Sequence, residues 1–227
     1  MLKRFICVIL SIALFLSVLP TYSRAETEQP KESTTMNTDN NLKEIVSERD
    51  EYSKTFVDDK GNFTKEIYAE PIHTKVNGKW EEISTKLKED KTEEAFKTEL
   101  TKLEATYPKK MDKGKKIKYR FGKDELTFLN ITASDGEQKY LPNKSDKTKY
   151  EDNKIMYEEV FPGINLRHVS FNNEVKEDWI IKSYQGINEF NYEVATRLTP
   201  RMEENGSIGF YKDKKFRFMV IFCGKVE

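Results

Sequence analysis

The feature that most constrains this chain is its punctuation: short runs of alternating apolar and charged residues, cut every eight to twelve residues by turn formers. Two segments carry it most densely, YSKTFVDDKGNFTKEIYAEPIHTKVNGKWEEI from Tyr52 to Ile83 and YEEVFPGINLRHVSFNNEVKEDWII from Tyr157 to Ile181. A period of two sends successive side chains to opposite faces of an extended strand, and Lys60-Gly61-Asn62, Asn77-Gly78 and Asn172-Asn173 supply the reversals of β-hairpins. After Pro71, the pattern predicts Ile72, Thr74 and Val76 inward and His73 and Lys75 outward, an Asn77-Gly78 turn, and a return strand from Lys79 to Ser84. Phe63, Ile67 and Ala69 share a predicted inner face, with Thr64 and Glu66 opposite.

The pattern continues downstream. Ile117, Tyr119 and Phe121 alternate with Lys116, Lys118 and Arg120, and Leu126 and Phe128 follow a tight Gly122-Lys123-Asp124 connection. Arg167 to Phe171 and Val175 to Ile181 form another pair, and strands follow over Asn188 to Arg197, Ser207 to Tyr211 and Lys215 to Phe222. One stretch, KTEEAFKTELTKLEATY, spaces Phe96, Leu100, Leu103 and Tyr107 at helical intervals, so a short helix or loop is expected near Thr92 to Leu100, then a strand ending at Pro108. Without a repeated βαβ pattern the fold class is all-β, an antiparallel β-sandwich-like domain built from hairpins, with a barrel-like arrangement as the alternative.

The amino terminus reads as an export signal. Lys3 and Arg4 precede an apolar stretch from Phe5 to Leu19, Pro20 ends it, and Ser23-Arg24-Ala25 has the small-x-small form of a cleavage site, so cleavage after Ala25 is expected. Those fifteen residues fall short of the roughly 20 that span a bilayer. Residues 26–45 are polar and read as a disordered spacer, leaving residues 46–227 as one β-rich domain of about 180 residues. Removing the signal takes Lys3, Arg4 and Arg24 from 39 basic residues, leaving 36 against 39 acidic ones, a net charge of −3. That balance argues against nucleic acid or an anionic membrane as partner. Cys7 leaves with the signal and Cys223 stands alone, so burial rather than an internal disulfide must hold the core, a habit of Gram-positive exporters.

Chemistry-bearing patterns are sparse. The two histidines, His73 and His168, lie in predicted strands, and a two-histidine metal site or a general base would need those strands to adjoin. His73 falls on the polar face and His168 follows Arg167, so solvated or hydrogen-bonded imidazoles account for both. A nucleophile elbow, a Walker loop, a HExxH helix and metal-spaced cysteines are absent from the sequence. The carboxylate pairs Glu81-Glu82, Glu158-Glu159 and Glu177-Asp178 occur in a chain with 34% charged residues and read as solvated faces. Asp58-Asp59-Lys60-Gly61-Asn62 invites a calcium reading, but it lacks EF-hand spacing and reads as a hairpin turn. Trp80 and Trp179, with Tyr68, Tyr157, Tyr184 and Tyr192, either present rings to sugars or pack the core, and packing is the preferred reading for the tryptophans. Lys109, Lys110, Lys113, Lys115 and Lys116 form the one basic cluster, a contact for anionic wall polymers or a solvated loop.

From about Ser47 to Phe218 the blocks SKTFVDDKGNFTKEIYAEPIHTKVNGKWEEI, TYPKKMDKGKKIKY, YEEVFPGINLRHVSFNNEVKEDWII and EFNYEVATRLTPRMEENGSIGFYKDKKFRF resemble the amino-terminal region of wall-associated, RHS-repeat proteins of bacilli. The resemblance implies exported polymorphic toxins, in which a β-rich region precedes further wall-associated domains, an array of YD-type repeats and a variable carboxy-terminal toxin. It implies a secreted or wall-associated structural and display module used in contact-dependent competition, not an enzyme, with no catalytic or metal residues and no cofactor. Its expected partners are wall polymers and following domains. A secreted wall- or glycan-binding adhesin is the alternative, and a secreted hydrolase a third reading. Where relatives continue through a proline-containing segment, this sequence reads VIFCGKVE, which suggests a frameshift or early stop near Val220, or else a short paralogue.

Overall fold

A computed structural model of the chain describes residues 3–7, 41–144 and 147–221. The expected cleavage point at Ala25, most of the spacer, and Cys223 lie outside the described residues. The described residues form two compact units, one of residues 41–81 and one of residues 3–7 with 82–144 and 147–221. The larger begins with β1 (Lys3–Cys7).

The smaller unit contains β2 (Lys43–Glu44), a 3-10 turn (Val46–Glu48), β3 (Ser53–Val57), β4 (Phe63–Ile67), β5 (His73–Val76) and β6 (Lys79–Glu82). β2, β3 and β4 form one sheet, and β5 and β6 a hairpin whose Asn77 and Gly78 take φ values of 51° and 82°, the left-handed pair that the two-residue turn requires. Asp50 organises this unit. Its carboxylate accepts from the Tyr52 amide at 2.8 Å and the Ser53 hydroxyl at 2.6 Å and pairs with Lys65, while its backbone carbonyl lies 2.6 Å from His73 Nδ1.

Two expected faces are corrected here. His73 is fully buried rather than on a polar face, because its Nδ1–H satisfies the Asp50 carbonyl, while Val76, expected inward, is exposed. Phe63 and Ile67, also expected inward, are 72% and 77% exposed. β4 is the outer strand of its sheet, and alternation determines which residues share a face but not which face is covered. The Asp58 turn follows expectation, since its carboxylate is occupied by the amides of Lys60 and Asn62 and the Asn62 side chain.

The larger unit continues with β7 (Ser84–Asp90), β8 (Ala95–Leu100), β9 (Leu103–Pro108), β10 (Ile117–Phe121), β11 (Asp124–Ser134) and β12 (Lys139–Tyr140). After these come β13 (Thr148–Glu151), β14 (Lys154–Phe161), β15 (Ile164–Ser170), β16 (Val175–Ile181), β17 (Glu189–Thr196), β18 (Thr199–Met202), β19 (Ile208–Lys212) and β20 (Lys215–Val220). The main sheet runs β1-β17-β11-β10-β9-β8-β7, with β12 added on β11. β13 to β16 form a second antiparallel sheet and β18 to β20 a third. The sheets stay open rather than closing into the alternative barrel.

Where a short helix or loop was expected near Thr92 to Leu100, the structure has a turn and then a strand, β8, from Ala95 to Leu100. Asp90 accepts from the amides of Thr92 and Glu93, Glu94 takes φ 48°, and β8 then buries Phe96 and Thr98 while Lys97 and Glu99 face ion-pair partners outside. The three- and four-residue spacing arose because Thr101 and Lys102 interrupt two strands, not from a helical face.

Alternating residues of the main and second sheets interlock as a sandwich around Tyr107, Ile117, Ile131, Tyr157, Phe161 and Leu166. The third sheet closes the other end with Phe210 and Phe218 against Leu103, Leu126 and Val194. Buried hydroxyls find partners across this core: Tyr107 and Ser170 are 2.8 Å apart, and Tyr157 donates to the Pro108 carbonyl at 2.7 Å. β14 and β15 are joined by Pro162-Gly163, where Pro fixes the first turn residue and Gly163 takes φ 70°.

A Cβ at Gly163 would lie 2.9 Å from the Ser183 carbonyl oxygen in a backbone region L residues avoid. Gly163→Ala is predicted to cost about 1–3 kcal/mol by urea unfolding, and an unchanged midpoint would contradict the turn assignment. The hydroxyl of Ser53, then the amide of Tyr52, hold the Asp50 carboxyl down to about 2 against an ordinary value of 3.8. A depressed carboxyl stabilises the fold above its unfolded value, and that contribution is lost as pH falls through the folded value. An NMR titration should therefore find Asp50 still ionised at pH 3, with the acid loss of this turn between about pH 4 and 2.

Candidate functional site

Two arrangements of polar side chains stand out in the larger unit, one running from buried His168 to exposed Glu177 and one in a surface groove. In the first, the pairing of β15 with β16 sets His168 directly beside Glu177. The fully buried imidazole holds Glu177 Oε2 through Nε2 at 2.9 Å; the carboxylate accepts, so Nε2 carries the proton. Tyr192, on β17 of the main sheet, donates to the other Glu177 oxygen, and the Trp179 indole N–H donates to the Tyr192 oxygen at 2.6 Å. Burial, and then the Glu177 charge, hold the Tyr192 phenol well above its usual range, so it remains a donor.

A histidine oriented by a carboxylate is half of a nucleophilic triad, but the third member here is a locked phenol rather than a nucleophile. The arrangement works as a polar clasp between two sheets. β5 pairs with β6, and β15 with β14 and β16, so the two histidines lie on strands of different sheets. The carboxylate pairs behave as charged faces where partners are assigned: Glu158 holds Lys149 at 2.6 Å, and Asp178 takes both Arg167 and Lys176.

The aromatic residues divide. Trp179 stacks face to face on Phe190 at 4.3 Å and 7°, and Tyr157 and Tyr192 are buried, so these three pack. Trp80 is half-buried beneath the Lys75 ammonium at 4.7 Å, while Tyr68 and Tyr184 are exposed.

The lysine cluster lies on the loop from β9 to β10. Lys109 is tied to Glu89, and Lys110, Lys113, Lys115 and Lys116 are exposed. The loop turns at Asp112, whose carbonyl accepts from the Lys115 amide, and Met111 anchors it by burial. Lys113 and Lys116 border two adjoining depressions of about 250 and 920 Å³ that share Gly114 and Asn130. Asn130 sits at a bulge in β11, with φ 50° and a register shift between Leu129 and Thr132. The groove draws in Lys123, Lys139, Arg197 and Lys212 from separate elements. None of Lys123, Lys139 and Arg197 was singled out by sequence. Their convergence depends on pairing β10 and β17 to opposite edges of β11, and only Lys123, in the turn following Lys116 and Lys118, gave any local hint.

The groove carries six cations against three carboxylates in a chain of zero formal net charge. Two of the carboxylates are engaged: Asp124 takes Lys212 at 2.9 Å and Arg217 at 2.9 Å, and Glu193 accepts from Asn130. The third, Glu125, accepts from the Thr127 hydroxyl.

Known proteins similar to the chain supply the family. A "Wall-associated protein" of Geobacillus stearothermophilus is 31% identical over 213 aligned positions, covering 86% of this chain and 84% of that protein. The chain belongs to the wall-associated protein family. A "tRNA3(Ser)-specific nuclease WapA" of Bacillus spizizenii is 31% identical and a "tRNA nuclease WapA" of Bacillus subtilis strain 168 is 30% identical, each over 238 aligned positions and 93% of this chain. The chain spans 10% of the length of those two wall-associated relatives. The expectation that this is not an enzyme is corrected by their names: the family includes proteins named as tRNA nucleases. No protein-family model matches the chain, and no solved structure does.

Tyr192→Phe would remove the phenol that links Glu177 to Trp179 and leave the indole N–H without its acceptor. A loss of about 1–3 kcal/mol in urea unfolding is expected, with weakened near-ultraviolet tryptophan dichroism. Wild-type stability together with unchanged dichroism would refute the clasp.

Proposed function

We propose that this chain is the amino-terminal, wall-associated module of an exported toxin system used against neighbouring cells, displaying at the cell wall whatever follows it. The observation that carries the reading is the match across 84% of a protein named for wall association, which makes this region, rather than a remote part of a longer relative, the common element. The export signal read at residues 1–25 supplies the route, and the nuclease names of the longer relatives support the competitive role. A two-sheet core of buried aromatic residues suits a module that must stay folded outside the cell.

The glycan-binding adhesin gains less from the structure, since Trp179, Tyr157 and Tyr192 are committed to packing. The purified chain, mixed with purified Bacillus cell walls and centrifuged, should sediment with the walls and remain in solution without them. A folded chain that stays in the supernatant at physiological salt would overturn the reading.

A further inference from the structure

We propose that the groove around Gly114 and Asn130 is a binding site for a base-free, phosphodiester-linked polyanion, the chemistry of a polyol-phosphate wall polymer. The inference deepens the wall-associated reading by naming the ligand class and the surface.

Three observations carry it. The first is charge: Lys113, Lys116, Lys123, Lys139 and Arg197 converge on one continuous depression from the β9–β10 loop, the β10–β11 turn, β12 and the end of β17. Elsewhere on the main sheet several cations are matched, as Lys97 is with Asp90 and Glu93, Lys118 with Glu93, and Arg120 with Glu104. Within the groove, by contrast, Asp124 is paired with Lys212 and Arg217, and the five cations Lys113, Lys116, Lys123, Lys139 and Arg197 stand against only Glu125 and Glu193, an excess of positive charge on a chain of zero formal net charge.

The second is the lining. Its apolar members are Leu129, Ile131, Leu141, Pro142, Ala195 and Leu198, and no described lining residue is aromatic. Single-stranded nucleic acid is gripped by stacking its bases on aromatic side chains, and a groove without rings gives bases no platform. Neutral sugars lose the ring faces they would otherwise pack on, for the same reason. What remains recognisable is a chain of phosphates with aliphatic links.

The third is the cation type. Four lysines act as flexible point charges around a single arginine fork, suited to repeated, loosely oriented phosphates rather than to one rigid bidentate carboxylate. The shared Asn130 side chain donates to Glu193, and Asn130 sits at the β11 bulge and lines both depressions.

The test uses the purified full chain and linear poly(glycerol phosphate) as probe, with neutral dextran and bulk tRNA as comparison ligands, read by calorimetry across a salt series. Poly(glycerol phosphate) should bind, dextran should not, and affinity should fall steeply with salt, by on the order of 0.7 log unit per log unit of salt for each phosphate contacted. The triple variant Lys116→Gln, Lys123→Gln, Arg197→Gln should bind at least about tenfold more weakly. A charge-matched triple variant, Lys86→Gln, Lys91→Gln, Lys214→Gln, should bind like the parent.

Both variants alter exposed side chains, and unchanged urea midpoints establish that each is folded. Absence of binding to poly(glycerol phosphate), equal losses in the two variants, or tighter binding of tRNA would each overturn the site. Wall sedimentation that persists when polymer binding fails would sink the groove alone, whereas loss of sedimentation sinks the wall-associated reading.

Discussion

The larger unit depends on a constraint its charge makes difficult: two antiparallel sheets must share one core in a chain where a third of the residues are charged. Its solution is strict separation of faces. Phe96, Thr98, Ala105, Tyr107 and Ile117 point into the sandwich, while Lys97, Glu99, Lys118 and Arg120 lie on the opposite side in ion pairs with Lys88, Glu93 and Glu104. Exposed pairs of this kind stabilise little individually; their role here is to keep the outer face soluble while aromatic burial supplies the stability. Polar groups between the sheets are linked to one another, as in the His168–Glu177–Tyr192–Trp179 clasp, although the buried His168 Nδ1 has no partner there. Removing one linked member would leave another unpaired, which makes this layer a point of sensitivity.

The surface groove follows from an irregularity in that same main sheet. A regular β11 would pair in uniform register with β17 along its length; the bulge at Asn130 shifts the register and opens a depression beside the lysine-rich loop. Bulges commonly re-aim side chains at sheet positions that serve a purpose, and here the purpose we assign is polymer contact. The loop itself is a fixed element, because Met111 is buried beneath it and Lys109 is tied to Glu89.

Much of this fold was legible in the sequence because hairpins are local. Asn77-Gly78 and the alternation of Ile117, Tyr119 and Phe121 each specify structure within a few residues. The misplaced faces have one physical origin. Alternation says which side chains share a face, but only the packing partner decides which face is buried, so Phe63, Ile67 and His73 came out reversed. The helical spacing behind the short helix or loop expected over Thr92 to Leu100 is shared by two different strands across a turn. Within the candidate site, the lysine run was visible, whereas Lys139 and Arg197 join it only through sheet pairing over long sequence separations. The non-enzyme expectation failed for another reason: a region carrying no catalytic motif can belong to a family whose longer members are named as nucleases.

The most direct test of the central claim is a map of amide and side-chain NMR shifts as soluble fragments of Bacillus wall carrying their anionic polymers are titrated into the chain. Perturbations concentrated at Lys113, Lys116, Lys123, Asn130 and Arg197 are the predicted result. Perturbations gathered instead around Trp80, Tyr68 or Tyr184, with the groove silent, would contradict the account and return the wall contact to exposed aromatic residues.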